Sequence, residues 1–233
     1  MSVETQATSE QYLKPTFYFD YDAPEVKAFA DRVLGSEALS QKEMAIRLYN
    51  AVRDEITYNP YVFKTDPKSL SASYCLNDGV SYCIPKAVLL GAVCRYKGIP
   101  ARLGLADVKN HLSSPQLIEF LRNDVFVMHG FIELYLEGKW VKATPAFNLS
   151  LCEKMGVEVL DFNGEDDSIF QEFNDDGDKH MEYLADHGTF DDVPMDFIAM
   201  SVAKAYPHLA DPKVLEQFGL HSLEDDVSEQ AAS

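Results

Sequence analysis

No apolar run in this 233-residue chain approaches the roughly 18 residues that a helix needs to cross a bilayer. Its opening, MSVETQATSEQYLKP, has neither the basic head nor the apolar stretch of a secretion signal. Membrane insertion and export are therefore not expected, and a cytoplasmic protein is. Cysteine is scarce. Cys75, Cys83, Cys94 and Cys152 form no Cys-x-x-Cys pair and follow no regular spacing, which argues against both a disulfide scaffold and a zinc site. Were Cys83 and Cys94 on one helix, eleven residues at about 1.5 Å each would separate their α-carbons by roughly 16 Å, well past the disulfide limit of about 7 Å. Free thiols in a reducing compartment fit this pattern.

Basic residues are also short, 20 against 38 acids, for a net charge of −18. The deficit lies in one part of the chain: residues 1–150 are nearly balanced, whereas residues 151–233 hold 21 acids and 4 bases. Such a surface repels nucleic acid and anionic membranes, so neither is an expected partner. Apolar residues make up 46% of the chain, enough for one sizeable core. The expected organisation is a domain over 1–150 with an N-terminal arm, and an acidic, largely helical extension over 151–233 packed on it. The polar stretch to about residue 14 and the ending HSLEDDVSEQAAS are expected to lie loose.

Along the chain, TFYFDYD reads as an extended arm, and Pro24 suits the first turn of a helix running to Gly35. Ser40 to Glu43 form a capping box, opening a helix with Ala45, Leu48, Val52 and Ile56 on one face. DPKSLSASYCLNDG reads as a loop and a short helix stopped at Asp78-Gly79. In CIPKAVLLGAVCRYKG, Ala87, Leu90, Val93 and Cys94 recur at helical spacing and Gly98 is placed to end the helix. Proline is tolerated only in a first helical turn, so Pro85 requires this helix to begin close to Cys83. IPARLGLADV and DVFVMHGFIELYL alternate as strands, and the second turns at Gly138 into KWVKATP. Residues 109–123 interrupt the two strands, and such an insertion can overhang a site. HMEYLADHG, MDFIAMSVAKAYPHL and DPKVLEQFG read as helices. EFNDDGDKHMEY places Asn174, Asp176 and Gly177 at calcium-loop positions 3, 5 and 6 when counted from Glu172, but Tyr183 at position 12, so it reads as a solvated acidic turn.

A thiol at a helix N-terminus meets unpaired amides and the positive end of the helix dipole. Both lower its pKa, and the same amides can donate to an oxyanion. A cysteine in that position is also often a small core residue, as Cys94 is expected to be. A nucleophile needs a proton acceptor, and of the six histidines His129 is best placed, within a strand and beside the small Gly130. Trp140 reads as structural, and Tyr58 as core or as cleft wall.

Three stretches, AIRLYNAVRDEITYNP, SASYCLNDGVSYCIPKAVLLGAVCRYKGIPARLGLADV and HGFIELYLEGKWVKATP, resemble in order and spacing the core of the transglutaminase-like superfamily, over roughly residues 41–148. The resemblance implies an α+β fold, a transglutaminase-like, papain-like core with the nucleophile helix packed on an antiparallel sheet. It also implies Cys83 as nucleophile and His129 as general base. The family's third position, an Asp before proline, falls on Thr144, whose hydroxyl can orient an imidazole only through a neutral hydrogen bond. Asn148, four residues on, is the alternative. The implied chemistry is attack on a peptide or amide acyl group through a thioester, ending in hydrolysis or transfer, with no metal or organic cofactor. The rival is a peptide-binding or regulatory module that keeps the cleft without turnover. The Arg-Gly-Gly-x-x-Cys approach of arylamine N-acetyltransferases is absent.

Overall fold

The computed structural model describes residues 10–111, 113–170 and 181–232. Helix α1 (Pro24–Leu34) starts on its proline and ends at Gly35, whose φ of 63° only glycine adopts without cost. Ser40 and Glu43 then form the capping box: the Ser40 hydroxyl accepts the Glu43 amide at 3.2 Å, and the Glu43 carboxylate accepts the Ser40 amide at 2.8 Å. It opens α2 (Gln41–Glu55), which buries Ala45, Leu48 and Val52 as its periodicity requires. Two short strands follow, β1 (Thr57–Tyr58) and β2 (Val80–Ser81), paired in parallel around α3 (Ala72–Asp78). Their register sets Tyr58 opposite Ser81, two residues before Cys83.

Helix α4 (Cys83–Tyr96) is the centre of the molecule, and every residue from Cys83 to Arg95 is buried. It begins on Cys83 with Pro85 in its first turn, where the missing amide of proline costs nothing. It ends in a Schellman motif: Ile99 N–H donates to the Cys94 carbonyl at 2.9 Å and Gly98 N–H to Arg95 at 3.0 Å. Two polar side chains are buried along it. Lys86 Nζ donates to the carbonyls of Arg53 and Ile56 at the end of α2. The Arg95 guanidinium donates to Lys14, Ala101 and Asp191 and lies 3.8 Å above the Phe19 ring, which ties the N-terminal arm to the helix. Residues of TFYFDYD are thus packed on the domain, with Phe19 fully buried, in a series of bends.

The sheet beside α4 runs β5-β4-β3-β6, antiparallel throughout: β3 (Ala101–Asn110), β4 (Val125–Leu136), β5 (Lys139–Ala143) and β6 (Met181–Phe190). Glu137 and Gly138, both at positive φ, make the tight turn between β4 and β5. Trp140 covers that end, packed edge-on to Tyr12 and under Arg102. Helix and sheet approach so closely that a Cβ on Gly91 would meet Ile132 at 2.7 Å, and one on Gly130 would meet the Ile84 backbone at 2.8 Å. Within the 109–123 insertion, α5 (Pro115–Leu121) is capped by Ser114.

Beyond residue 148 come α6 (Leu149–Met155), α7 (Met195–Ala205), α8 (Pro212–Phe218) and α9 (Leu223–Ala232). Two expectations change here. HMEYLADHG is not a helix: residues 181–190 are β6, because the open edge of β3 supplies backbone partners from Leu103 to Asn110 that outweigh local propensity. The ending is not loose either, since α9 buries Leu223, Asp226 and Val227 and packs on α6, with Tyr61 donating to Asp226. The calcium-loop comparison falls on residues 172–183, of which 172–180 lie outside the described residues, and 181–183 open β6.

Candidate functional site

Cys83 and His129 line the same pocket, reached from opposite elements, the first residue of α4 and the middle of β4. Gly130, next in the chain to His129, links the two elements. Its backbone amide, with those of Ile84 and Cys83 itself, is directed at the Cys83 sulfur. This approach is possible only because residue 130 has no side chain to strike the Ile84 backbone.

The sequence predicts a lowered thiol pKa at this helix N-terminus, and the structure reverses that. Cys83 is 8% exposed, and burial pushes its pKa up to about 11 against the downward pull of the three amides. Burial likewise lowers the His129 imidazole to about 4. Both groups therefore rest neutral in the pocket they line, Cys83 as a thiol and His129 as an imidazole. Four tyrosines sense the sulfur: a charged Cys83 would raise the already high pKa values of Tyr58, Tyr82, Tyr183 and Tyr206 further.

The third position is unfilled as a contact. Among the described residues, His129 Nε2 is buried without a hydrogen-bond partner, and so is the hydroxyl of Thr144, which follows the end of β5. Asn148 is committed elsewhere: its oxygen accepts the Tyr58 amide at 2.9 Å, and its nitrogen donates to Ser150 at 2.7 Å and Glu224 at 3.1 Å. It joins β1 to α9 and does not orient the imidazole. Instead, Phe170 packs on His129 with ring centroids 5.5 Å apart and on Phe147 at 4.8 Å. Tyr58 satisfies both of its readings, being 3% exposed and part of the pocket wall.

Several residues at the site carry no sequence signal. Asp107, in a bulge of β3, accepts the Met128 amide and thereby holds the backbone just before His129. The Tyr206 hydroxyl accepts from Val127 N–H at 2.8 Å and donates to the Val125 carbonyl at 2.5 Å, fastening the C-terminal segment to β4. The insertion does overhang the site, through Phe120 and Leu121.

Residues 27–145 match the transglutaminase-like superfamily, about half of the chain. The chain belongs to that superfamily. The α+β core of this transglutaminase-like protein also resembles the crystal structure of a candidate cysteine protease from Cytophaga hutchinsonii, with a TM-score of 0.51 at 16% identity over 82% of this chain and 50% of that one. A candidate protease from Parabacteroides distasonis aligns at 16% identity with a TM-score of 0.38, over 62% of this chain and 26% of that one. This transglutaminase-like chain thus spans half the length of the Cytophaga protein, and at such identity the likeness is one of fold. A comparison with curated proteins returns no match. Among the described residues, no helix is long and apolar enough to cross a membrane.

Proposed function

We propose that this transglutaminase-like protein is a cysteine enzyme acting on a peptide or amide acyl group, with Cys83 as nucleophile and His129 as general base. The observation that carries the reading is the shared pocket, with the Gly130 amide aimed at the Cys83 sulfur from the strand that bears His129. As the sulfur bonds to the substrate carbonyl carbon, His129 takes the thiol proton and then delivers it to the departing amine, leaving a thioester. Water or an amine attacks the thioester, His129 accepts its proton, and the acyl group leaves as the thiol is restored. Amides at the start of α4 and at Gly130 are the donors available to the oxyanion. Because both groups rest neutral, proton transfer accompanies attack rather than preceding it. Thr144 takes the family's third position, but its buried hydroxyl and His129 Nε2 do not hydrogen-bond to each other, each lacking a partner among the described residues. Peptides come first as substrates because the Cytophaga neighbour is described as a candidate protease.

Trapping decides this. Incubation with an activated acyl ester, acid quenching and intact-mass measurement should show one acyl adduct on the protein and none on Cys83→Ala. The high thiol pKa and the unpaired imidazole favour a second reading, a module that binds the acyl segment without turnover. Saturable peptide binding with no adduct anywhere between pH 6 and 9.5 would establish that alternative.

A further inference from the structure

The pocket at Cys83 has two kinds of wall. Tyr58, Tyr82, Ile84 and Met128 come from the part of the chain that matches the superfamily, whereas Ile198, Val202, Tyr206 and Leu209 lie beyond residue 145, outside that match. Among the described residues, none of the side chains lining it is an acid, a lysine or an arginine. A charged group brought here would lose its hydration with no opposite charge to meet it. The cavity volume is about 80 Å³, far below the several hundred typical of pockets for drug-sized ligands. An apolar cavity of about 150 Å³ holds a benzene ring, so this one suits a smaller group.

The outer wall is also anchored. Strand β5 pairs with β4 only from Ile132 to Leu136, and at Val125 and Val127 the Tyr206 hydroxyl takes the place of a strand, filling one acceptor and one donor. The end of α7 is thereby held against the strand that leads to His129, with Val202 half-buried at the pocket margin.

We propose that this is the specificity pocket of the Cys83 site, that it takes one uncharged, branched aliphatic group from the acyl side of the substrate, and that the C-terminal segment around Ile198, Val202 and Tyr206 sets the preference. The proposal rests on Cys83 being the nucleophile, and the test separates the two. Chloromethyl ketones of leucine, phenylalanine, lysine and aspartate are compared for the rate at which they label Cys83, with iodoacetamide, which needs no pocket, run alongside.

The leucyl reagent should label at least about tenfold faster than the lysyl and aspartyl reagents and faster than the phenylalanyl one. Val202→Glu should narrow the gap between leucyl and lysyl reagents. Val202→Phe, which fills the pocket without adding charge, should slow leucyl labelling by a larger factor than it slows iodoacetamide. Equal rates for all four reagents, with iodoacetamide still modifying Cys83, would overturn the pocket and leave the nucleophile standing. Failure of iodoacetamide to modify Cys83 in the folded protein would overturn both.

Discussion

Asp107 accepts the backbone N–H of Met128 at 3.0 Å, and the residue so held has a φ of 62°, the left-handed region, directly before His129. A non-glycine residue there costs roughly 1–2 kcal/mol and persists only where neighbours enforce it. The bulge in β3 between Ala106 and Val108 frees Asp107 for this task, and His187 of β6 contacts the same carboxylate oxygen at 2.9 Å. The direction of the His129 side chain therefore depends on a contact between three strands.

Replacing Asp107 with alanine should destabilise the fold by about 1.5–3 kcal/mol, the range for a hydrogen bond to a charged group. Urea unfolding measures that loss. Acyl transfer to Cys83 should fall by more than the fraction unfolded, whereas Asp107→Asn, which keeps an acceptor, should recover most of it. A matching loss of rate and of folded protein in Asp107→Ala would assign Asp107 to stability alone.

Alkylation of Cys83 should be slow at pH 6 and still rising at pH 9, because burial raises the thiol to about 11. A rate already at its plateau by pH 7 would indicate a preformed ion pair with His129 instead.

His129 should make the fold acid-sensitive. Its folded pKa is about 4, against roughly 6.5 in an unfolded chain. Between those values the unfolded chain binds a proton that the folded one refuses, so stability falls as pH drops from 6.5 to 4, by about 1.4 kcal/mol per pH unit. Chemical unfolding of His129→Gln across that window should show a correspondingly shallower decline.

Thr144→Asp places a carboxylate where the superfamily carries one. An ionised partner for His129 Nε2 should raise the imidazole pKa, stabilise the imidazolium formed during attack and speed Cys83 acylation at pH 7. The same change buries a charge at a site 1% exposed, so the melting temperature should drop. Faster acylation despite lower stability is the expected signature, and an unchanged pH profile of acylation would show that residue 144 does not reach the imidazole.

Lys86 should give a pH response of the same sign at the alkaline end. Burial lowers its pKa to about 7, whereas the unfolded chain holds the proton to about 10.4. Stability gains from this group as pH rises from 7 toward 10, again by about 1.4 kcal/mol per unit. Lys86→Met should lose that slope in urea titrations, and it should lower stability at pH 9, where the Arg53 and Ile56 carbonyls lose their donor.

Much of the core was legible because its signals are local. The Ser40–Glu43 box, Pro85 in the first turn of α4, Gly98 after its end and the positive φ at Gly138 each follow from one residue's own conformational preference. Cys83 and His129 were readable as candidates from their places on predicted elements and from the resemblance around them. Residues 181–190 were misread because their helical pattern is weak, and a long-range partner, the free edge of β3, decided their state. The C-terminal end was misread for the same reason: Leu223 and Val227 have nothing to pack on until α6 and the Tyr61 region are in place.

The sequence by itself determined which residues begin and end helices, where the thiol sits and which superfamily the chain joins, since all of these rest on contacts within a few residues or on motif order. Tertiary structure alone decided the protonation of the site, the fate of Asn148 and the apolar pocket wall. Desolvation depends on what every other segment brings around a group, and the side chains of Tyr206, Phe170 and Asp107 reach His129 or its strand only after the sheet has formed.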